Sequence, residues 1–165
     1  IFTKAYGDIL NSKSYVGINL AELNYQHVGM DELSLSSAYA RFGASFGKYA
    51  ALEWRLGSGL EGDNQNIYGY RVKQEADLYY GAYFIGGVPI SKTLYPYILL
   101  GYTQCDLKVS IDTDAIKLDY SDITLGIGLN VTLQQNLVLN AEYTRYIYTD
   151  EFELTAPSIG LTYFY

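Results

Sequence analysis

The chain has 165 residues, with 18 acidic and 11 basic side chains and a formal net charge of -7. That length holds one domain, the acidity excludes a basic stripe for nucleic-acid phosphates, and the single cysteine, Cys105, excludes an internal disulfide. Nineteen tyrosines stand against six phenylalanines and one tryptophan, and no run approaches the ~18 apolar residues of a membrane-crossing helix.

Taken in chain order, Ile1 to Asn11 lacks the basic start, apolar core and cleavage site of a secretory signal, as in a mature chain that has lost its leader. Residues 1–13 fit no strand and are read as a tail or lumen plug. From Ser14 onward the pattern is period-two alternation, repeated about eight times with turn signals between. The first strand, Ser14 to Tyr25, sets Val16, Ile18 and Leu20 against Gly17, Asn19 and Ala21. A polar loop from Gln26 to Ser34 leads to the second, Leu35 to Phe46. There Ala38, Ala40, Phe42 and Ala44 oppose Tyr39, Arg41, Gly43 and Ser45. After a tight turn at Gly47 the third strand, Ala51 to Gly59, sets Leu52, Trp54 and Leu56 against Glu53, Arg55 and Gly57. Leu60 to Glu75 reads as a longer polar loop. The fourth strand covers Ala76 to Val88 and the fifth Tyr95 to Leu107, joined by a short turn at Pro89 to Thr93. A charged loop spans Lys108 to Asp119. In the sixth strand, Tyr120 to Leu133, Ile123, Leu125, Ile127 and Leu129 alternate with Thr124, Gly126, Gly128 and Asn130. The turn at Gln134 to Asn136 leads to the seventh, Leu137 to Tyr148, with Ala141 and Tyr143 against Asn140, Glu142 and Thr144. A short acidic loop, Asp150 to Glu153, precedes the eighth, Ala156 to Tyr165.

Strands of 10 or more residues, with short turns and long polar loops in alternation, suit a tilted membrane-spanning strand of ~9–11 residues. Lipid offers no hydrogen bonds, so such a sheet must close on itself, and eight strands close around an interior that side chains just fill. The expected fold is an all-β, eight-stranded antiparallel up-and-down transmembrane barrel over residues 14–165. The greasy faces then look out, and Arg41, Glu53, Arg55 and Glu142 look in. Two cations against two anions predict an internal ion-pair network, because an unpaired buried charge costs several kcal/mol. Glycines at 43, 57, 81, 101, 126, 128 and 160 make room inside for Tyr and Arg.

The only histidine, His27, lies beside a loop and reads as solvated rather than catalytic. Asp112 and Asp114 lack the glycine and distal glutamate of a calcium loop. Gly126-Ile127-Gly128 has no following helix to cradle a phosphate, and Cys105 reads as packing near a strand end. No cofactor, metal or catalytic residue is assigned. The outer loops and rims hold 15 acids against Arg71, Lys73, Lys108 and Lys117, an end that repels polyanions and admits divalent-cation bridging to lipid phosphates. Arg145, near that rim on the lipid side, is a candidate for a lipid phosphate or a snorkelling arginine.

Several stretches are similar to the small OmpA-like outer-membrane barrel family over Ser14 to Tyr165: ARFGASFGKYAALEWRLG from Ala38, LYYGAYFIGGVPI from Leu78, YPYILLGYT from Tyr95, NLVLNAEYTRY from Asn136, and the end SIGLTYFY. Ile159, Leu161, Tyr163 and the terminal Tyr165 resemble the family's C-terminal signal for the barrel-assembly machinery, although members usually end in phenylalanine. The resemblance implies a bacterial outer-membrane location with loops outside, and a buried Arg and Glu cluster mapping onto Arg41, Glu53, Arg55 and Glu142. It also implies lipopolysaccharide and phospholipid as neighbours and a monomeric barrel. Better-known members carry a peptidoglycan-binding domain after the barrel; the chain stops at the barrel, so no such role is carried over. The expected role is structural or surface-interacting, adhesion-like through acidic external loops, with an unidentified external partner. A narrow solute pore is the alternative. A lipid-modifying enzyme ranks lower, as does a soluble lipocalin-like binder, which would be apolar inside and polar outside.

Overall fold

A computed structural model describes residues 13–27, 33–60, 63–67, 70–111, 114–148 and 152–165. It contains β1 (Ser14–His27), β2 (Leu33–Phe46), β3 (Ala50–Gly59), β4 (Asp63–Ile67), β5 (Tyr70–Gly87), β6 (Leu94–Ile111), β7 (Asp114–Thr132), β8 (Leu137–Tyr148) and β9 (Phe152–Phe164). All pairings are antiparallel. The order β3-β2-β1-β9-β8-β7-β6-β5-β4 is closed by β3 pairing with β5. β4 pairs only with β5, beyond the end of β3. The nine segments therefore make an eight-stave closed barrel.

The register fixes the barrel's shape. Following paired residues once round from Ser14, through Ala44, Leu52, Phe84, Leu100, Leu125, Arg145 and Thr155, returns to β1 at Asn24, ten residues on. With ~3.3 Å per residue and ~4.8 Å between strands, that offset tilts the strands by about 40°. Each residue then climbs about 2.5 Å along the axis.

The outer face is apolar. Ile18, Ile98, Ile123 and Ile127 are 62 to 64% exposed, a waste of apolar surface in water and the expected condition in lipid. Along β7 and the residue after it, the outward apolar row from Ile123 to Leu133 spans ten residue steps, about 25 Å of height, the span of a bilayer's apolar band. Exposed aromatics flank it: Phe46, Tyr163 and Tyr165 toward the end with the short turns, Tyr80 and Tyr102 toward the other. The inverse, lipocalin-like arrangement is ruled out by this facing. Gly47 takes a left-handed φ of 70° in the β2–β3 turn, a conformation that favours glycine.

The sequence reading falls short at one end of the molecule. The expected loops Leu60 to Glu75 and Lys108 to Asp119 are largely strand: β4 pairs with the start of β5, and β6 and β7 pair up to Ile111↔Asp114. Likewise β1 reaches His27, β2 begins at Leu33, and β9 begins at Phe152 within the expected acidic loop. The physical reason is that charge and turn-forming residues outweigh the pattern: Asp63 to Asn66 is polar throughout, while Val109, Ile111, Ile116 and Leu118 alternate with Lys108, Ser110, Lys117 and Asp119, a strand signal diluted by charge. Lys13 also pairs, its carbonyl accepting from Ser45 N–H at 2.9 Å; residues 1–12 lie outside the described residues.

Candidate functional site

Inward side chains come from every second residue of each strand, and their glycines decide what fits. A Cβ on Gly43 would fall within the ring of Tyr15, on Gly57 within that of Tyr79, and on Gly128 within that of Tyr97. Each missing Cβ thus seats a tyrosine lying across the lumen, and the tyrosines carry hydroxyls to the charged centre.

That centre joins all four inward ions. Arg41 donates through Nε and Nη2 to Glu53 Oε2, at 2.9 and 2.6 Å. Arg55 Nε donates to the other oxygen, Oε1, at 2.6 Å. The Arg55 guanidinium then turns to Glu142, Nη2 meeting Oε2 at 2.8 Å and Nη1 meeting Oε1. Tyr15 Oη donates to Glu53 at 2.7 Å, and Tyr97 Oη and Thr144 Oγ1 donate to Glu142 at 2.8 and 2.7 Å. Arg55 lies 4.6 Å over the ring of Tyr83 and 5.1 Å over that of Tyr39. All four ions are at most 5% exposed.

Position matters as much as bonding. β3, which carries Arg55, and β8, which carries Glu142, are four staves apart in both directions round the barrel. The Arg55–Glu142 pair is therefore a strut across the full lumen diameter. By register it sits near the middle of the apolar band, where an uncompensated charge is most costly. Two cations and two anions cancel, bidentate geometry supplies the strongest form of the pair, and the tyrosines satisfy remaining lone pairs. Only Arg41 Nη1 and Asn19 Oδ1, nearby on β2 and β1, and Thr132 Oγ1 are buried without a partner among the described side chains.

Packing continues above and below the strut. Toward the hairpin end, Leu23, Leu35, Tyr79, Cys105, Tyr146 and Leu154 are buried together. Toward the turn end, Tyr15 and Phe164 stack at 4.9 Å beside buried Val138 and Tyr95. Cys105 is thus a lumen residue well inside β6, not one near a strand end. This apolar packing could not be read from alternation, because inward apolar residues break the polar-in rule.

The remaining expected residues are scattered. His27 ends β1 and Asp114 opens β7, while Asp112 lies outside the described residues. No group of three metal-ligating side chains occurs among the described residues. Arg145 stands on the lipid side of β8, half-buried, where pairing with β7 ends at Leu125↔Arg145. Ile159, Leu161, Tyr163 and Tyr165 are 43 to 65% exposed on one lipid-facing row of the β9 end.

A family model described as the outer membrane protein beta-barrel domain matches residues 4–164. The chain belongs to that family. Its place is the bacterial outer membrane, as a membrane protein of Gram-negative bacteria. Among solved structures, it is similar to Ail, the attachment invasion locus protein of Yersinia pestis, at 16% identity and a TM-score of 0.72, covering 94% of this chain and 99% of that one. Neisserial surface protein A is similar at 14% identity and 0.65, covering 91% and 96%. The N-terminal barrel domain of Pseudomonas aeruginosa OprF follows at 11% and 0.62, covering 90% and 97%. At these identities the likeness is one of fold. A search of curated proteins found no match.

Proposed function

We propose that this barrel is a non-enzymatic surface-interaction protein, adhesion-like, which presents a sheet of its own strands outside the cell. One observation carries the reading. β5, β6 and β7 are 18, 18 and 19 residues long against 10 to 14 for β1, β2, β3, β8 and β9. From Ile123 to Asp114, β7 runs nine residues past the apolar band, about 20 Å of height. Pairing with the rest of the wall has stopped by then, at Gly57↔Tyr79 on one side and Leu125↔Arg145 on the other. What projects is a four-stranded sheet, β4-β5-β6-β7, with two edges able to add a partner strand. The hairpin end is taken as external, following the family's habit of short turns inside and long hairpins outside.

The strut across the lumen opposes the pore alternative. Sucrose octasulfate, a heparin analogue, was found with Ail; the stretches assigned from sequence to the external loops and rims carry 15 acids against Arg71, Lys73, Lys108 and Lys117, which favours a cationic or divalent-bridged partner over a sulfated one. Outer-membrane lipid, lipopolysaccharide included, remains the partner proposed for Arg145, and the barrel-assembly machinery for Tyr165. The test deletes residues 108–117, which leaves Leu107 and Leu118 as a two-residue turn beyond the Asp106↔Asp119 rung. Cells carrying the shortened barrel should lose attachment to host-cell monolayers while the barrel stays folded and heat-modifiable on gels. Unchanged attachment overturns the proposal, as does a steady planar-bilayer current from the intact protein.

A further inference from the structure

Every strand of a closed barrel is a central strand, where proline deletes a ladder hydrogen bond. Two prolines stand within strands here. Pro96 is near the start of β6, beside the last β5–β6 rung at Gly87↔Tyr97, so its missing donor falls at the end of a ladder. Pro157 is inside β9, exposed on the lipid face and paired across to Tyr143.

The direction of its missing donor follows from register. Tyr165 N–H donates to the Ser14 carbonyl at 3.0 Å, and hydrogen-bonded rungs recur at every second residue. Pro157 therefore occupies a hydrogen-bonded rung facing Glu22, whose carbonyl lacks the donor that any other residue would supply. The ladder breaks there. It runs from Tyr15↔Phe164 to Ala21↔Ser158 and resumes in the same register at Asn24↔Thr155; the rungs at Glu22 and Leu23 both need the donor that Pro157 lacks, so one absent hydrogen bond accounts for the gap. On the opposite flank of β9 the register with β8 slips between Arg145 and Ile147. At Pro157 and Ala156 themselves β9 stays in register with β8, through Tyr143↔Pro157 and Thr144↔Ala156, so the weak point is one-sided: it lies on the β1 flank, and the β8 flank is interrupted only further on, past Arg145↔Thr155. By contrast, β1–β2 is unbroken from Ser14 to Tyr25 and β2–β3 from Ser37 to Phe46.

Behind the break the lumen is apolar: Ala21, Leu23, Tyr146, Leu154 and Ala156 are all buried. In front of it lies the edge of the acyl region. The ionic strut is below it, toward the turn end. We infer that the β1–β9 seam between Leu20–Ile159 and Asn24–Thr155 is a lateral portal, where the barrel parts toward the bilayer and the apolar side chains packed behind it give way to an apolar chain from the lipid. The strut keeps hydrated solutes from crossing; the seam admits what is already dissolved in lipid.

The test uses the barrel in phospholipid vesicles, with Cys105→Ser and one new thiol. Ala156→Cys lies in the lumen at the break; Ser37→Cys lies in the lumen at comparable depth behind unbroken ladders. N-dodecylmaleimide, dissolved in the bilayer, should modify the first at least 10-fold faster than the second. Adding Pro157→Ala, which restores the donor, should cut that rate at least 5-fold, and a sulfonated, water-soluble maleimide should label both slowly and alike. Equal rates, insensitivity to Pro157→Ala, or preferential labelling by the sulfonated reagent overturns the proposal. Amide exchange on the chain without cysteine changes gives a second reading. Glu22 and Asn24 should exchange at least 10-fold faster than Ala38 and Ser58 on the unbroken β2–β3 ladder, and Pro157→Ala should remove the difference; equal protection sinks the portal.

Discussion

Glu142→Gln and Arg55→Met together test whether the strut is one electrostatic unit. Glu142→Gln leaves Arg41 and Arg55 sharing the single charge of Glu53, a buried excess of one cation. Arg55→Met keeps much of the volume but leaves Glu142 as an anion held only by the hydroxyls of Tyr97 and Thr144, with Tyr39 Oη at 3.5 Å. Breaking a buried pair from one side costs about 3–5 kcal/mol, so each single change should lower stability by that order. The double variant removes one charge of each sign and leaves the neutral Arg41–Glu53 pair intact. Its cost should fall to about 2 kcal/mol or less, a coupling of about 3 kcal/mol or more in the cycle. Urea unfolding in lipid vesicles, followed by the fluorescence of the only tryptophan, Trp54, reads this out; that side chain is 51% exposed on the lipid face between Glu53 and Arg55. Single changes costing under about 1 kcal/mol, or additive costs, would mean the lumen is hydrated enough to screen the ions, and the reasoning about a sealed strut would fail.

Gly128→Ala should cost about 1–3 kcal/mol, because the added methyl falls within the Tyr97 ring that steadies Glu142. Gly86→Ala, whose nearest neighbour would be 3.8 Å away, should be close to neutral in the same urea titration. Ile127→Arg, on the lipid face near mid-band, should lose about 2–4 kcal/mol in vesicles, whereas a water-facing position would tolerate it within about 0.5 kcal/mol. Tyr165→Ala should lower the yield of heat-modifiable barrel in cells while leaving the urea midpoint of refolded protein nearly unchanged; a normal yield would remove the assembly role.

Within the membrane, almost everything needed was written in the alternation. Ile123 to Leu133 against Thr124 to Thr132 gives strand, facing and length at once, because lipid imposes one chemistry on one face. The tyrosine count and the inward glycines belong to the same pattern: Gly43, Gly57, Gly81, Gly101 and Gly128 each leave room for a tyrosine ring, while Gly126 and Gly160 leave room for Leu99 and Asn19. The projecting sheet was only partly legible: Asp63 to Asn66 is polar throughout, but Val109, Ile111, Ile116 and Leu118 do alternate with Lys108, Ser110, Lys117 and Asp119, and it is the density of charge that makes this stretch read as a loop. The break at Glu22 was hidden for another reason. Pro157 is visible in the sequence, but whether its absent N–H faces β8 or β1 depends on the pairing phase across the chain's most distant strands.

Arg55 and Glu142 are 87 positions apart. The β2–β3 hairpin alone carries Arg41, Glu53 and Arg55, a net surplus of one positive charge, and β8 holds the matching negative one. Until the first and last staves meet, neither half is neutral, and a half-formed sheet sliding into acyl chains would drag a bare ion with it. The molecule is therefore biased to complete its ring before, or as, it enters the hydrocarbon. A cross-lumen bond that looks like a static brace also acts as a checkpoint on the order of events.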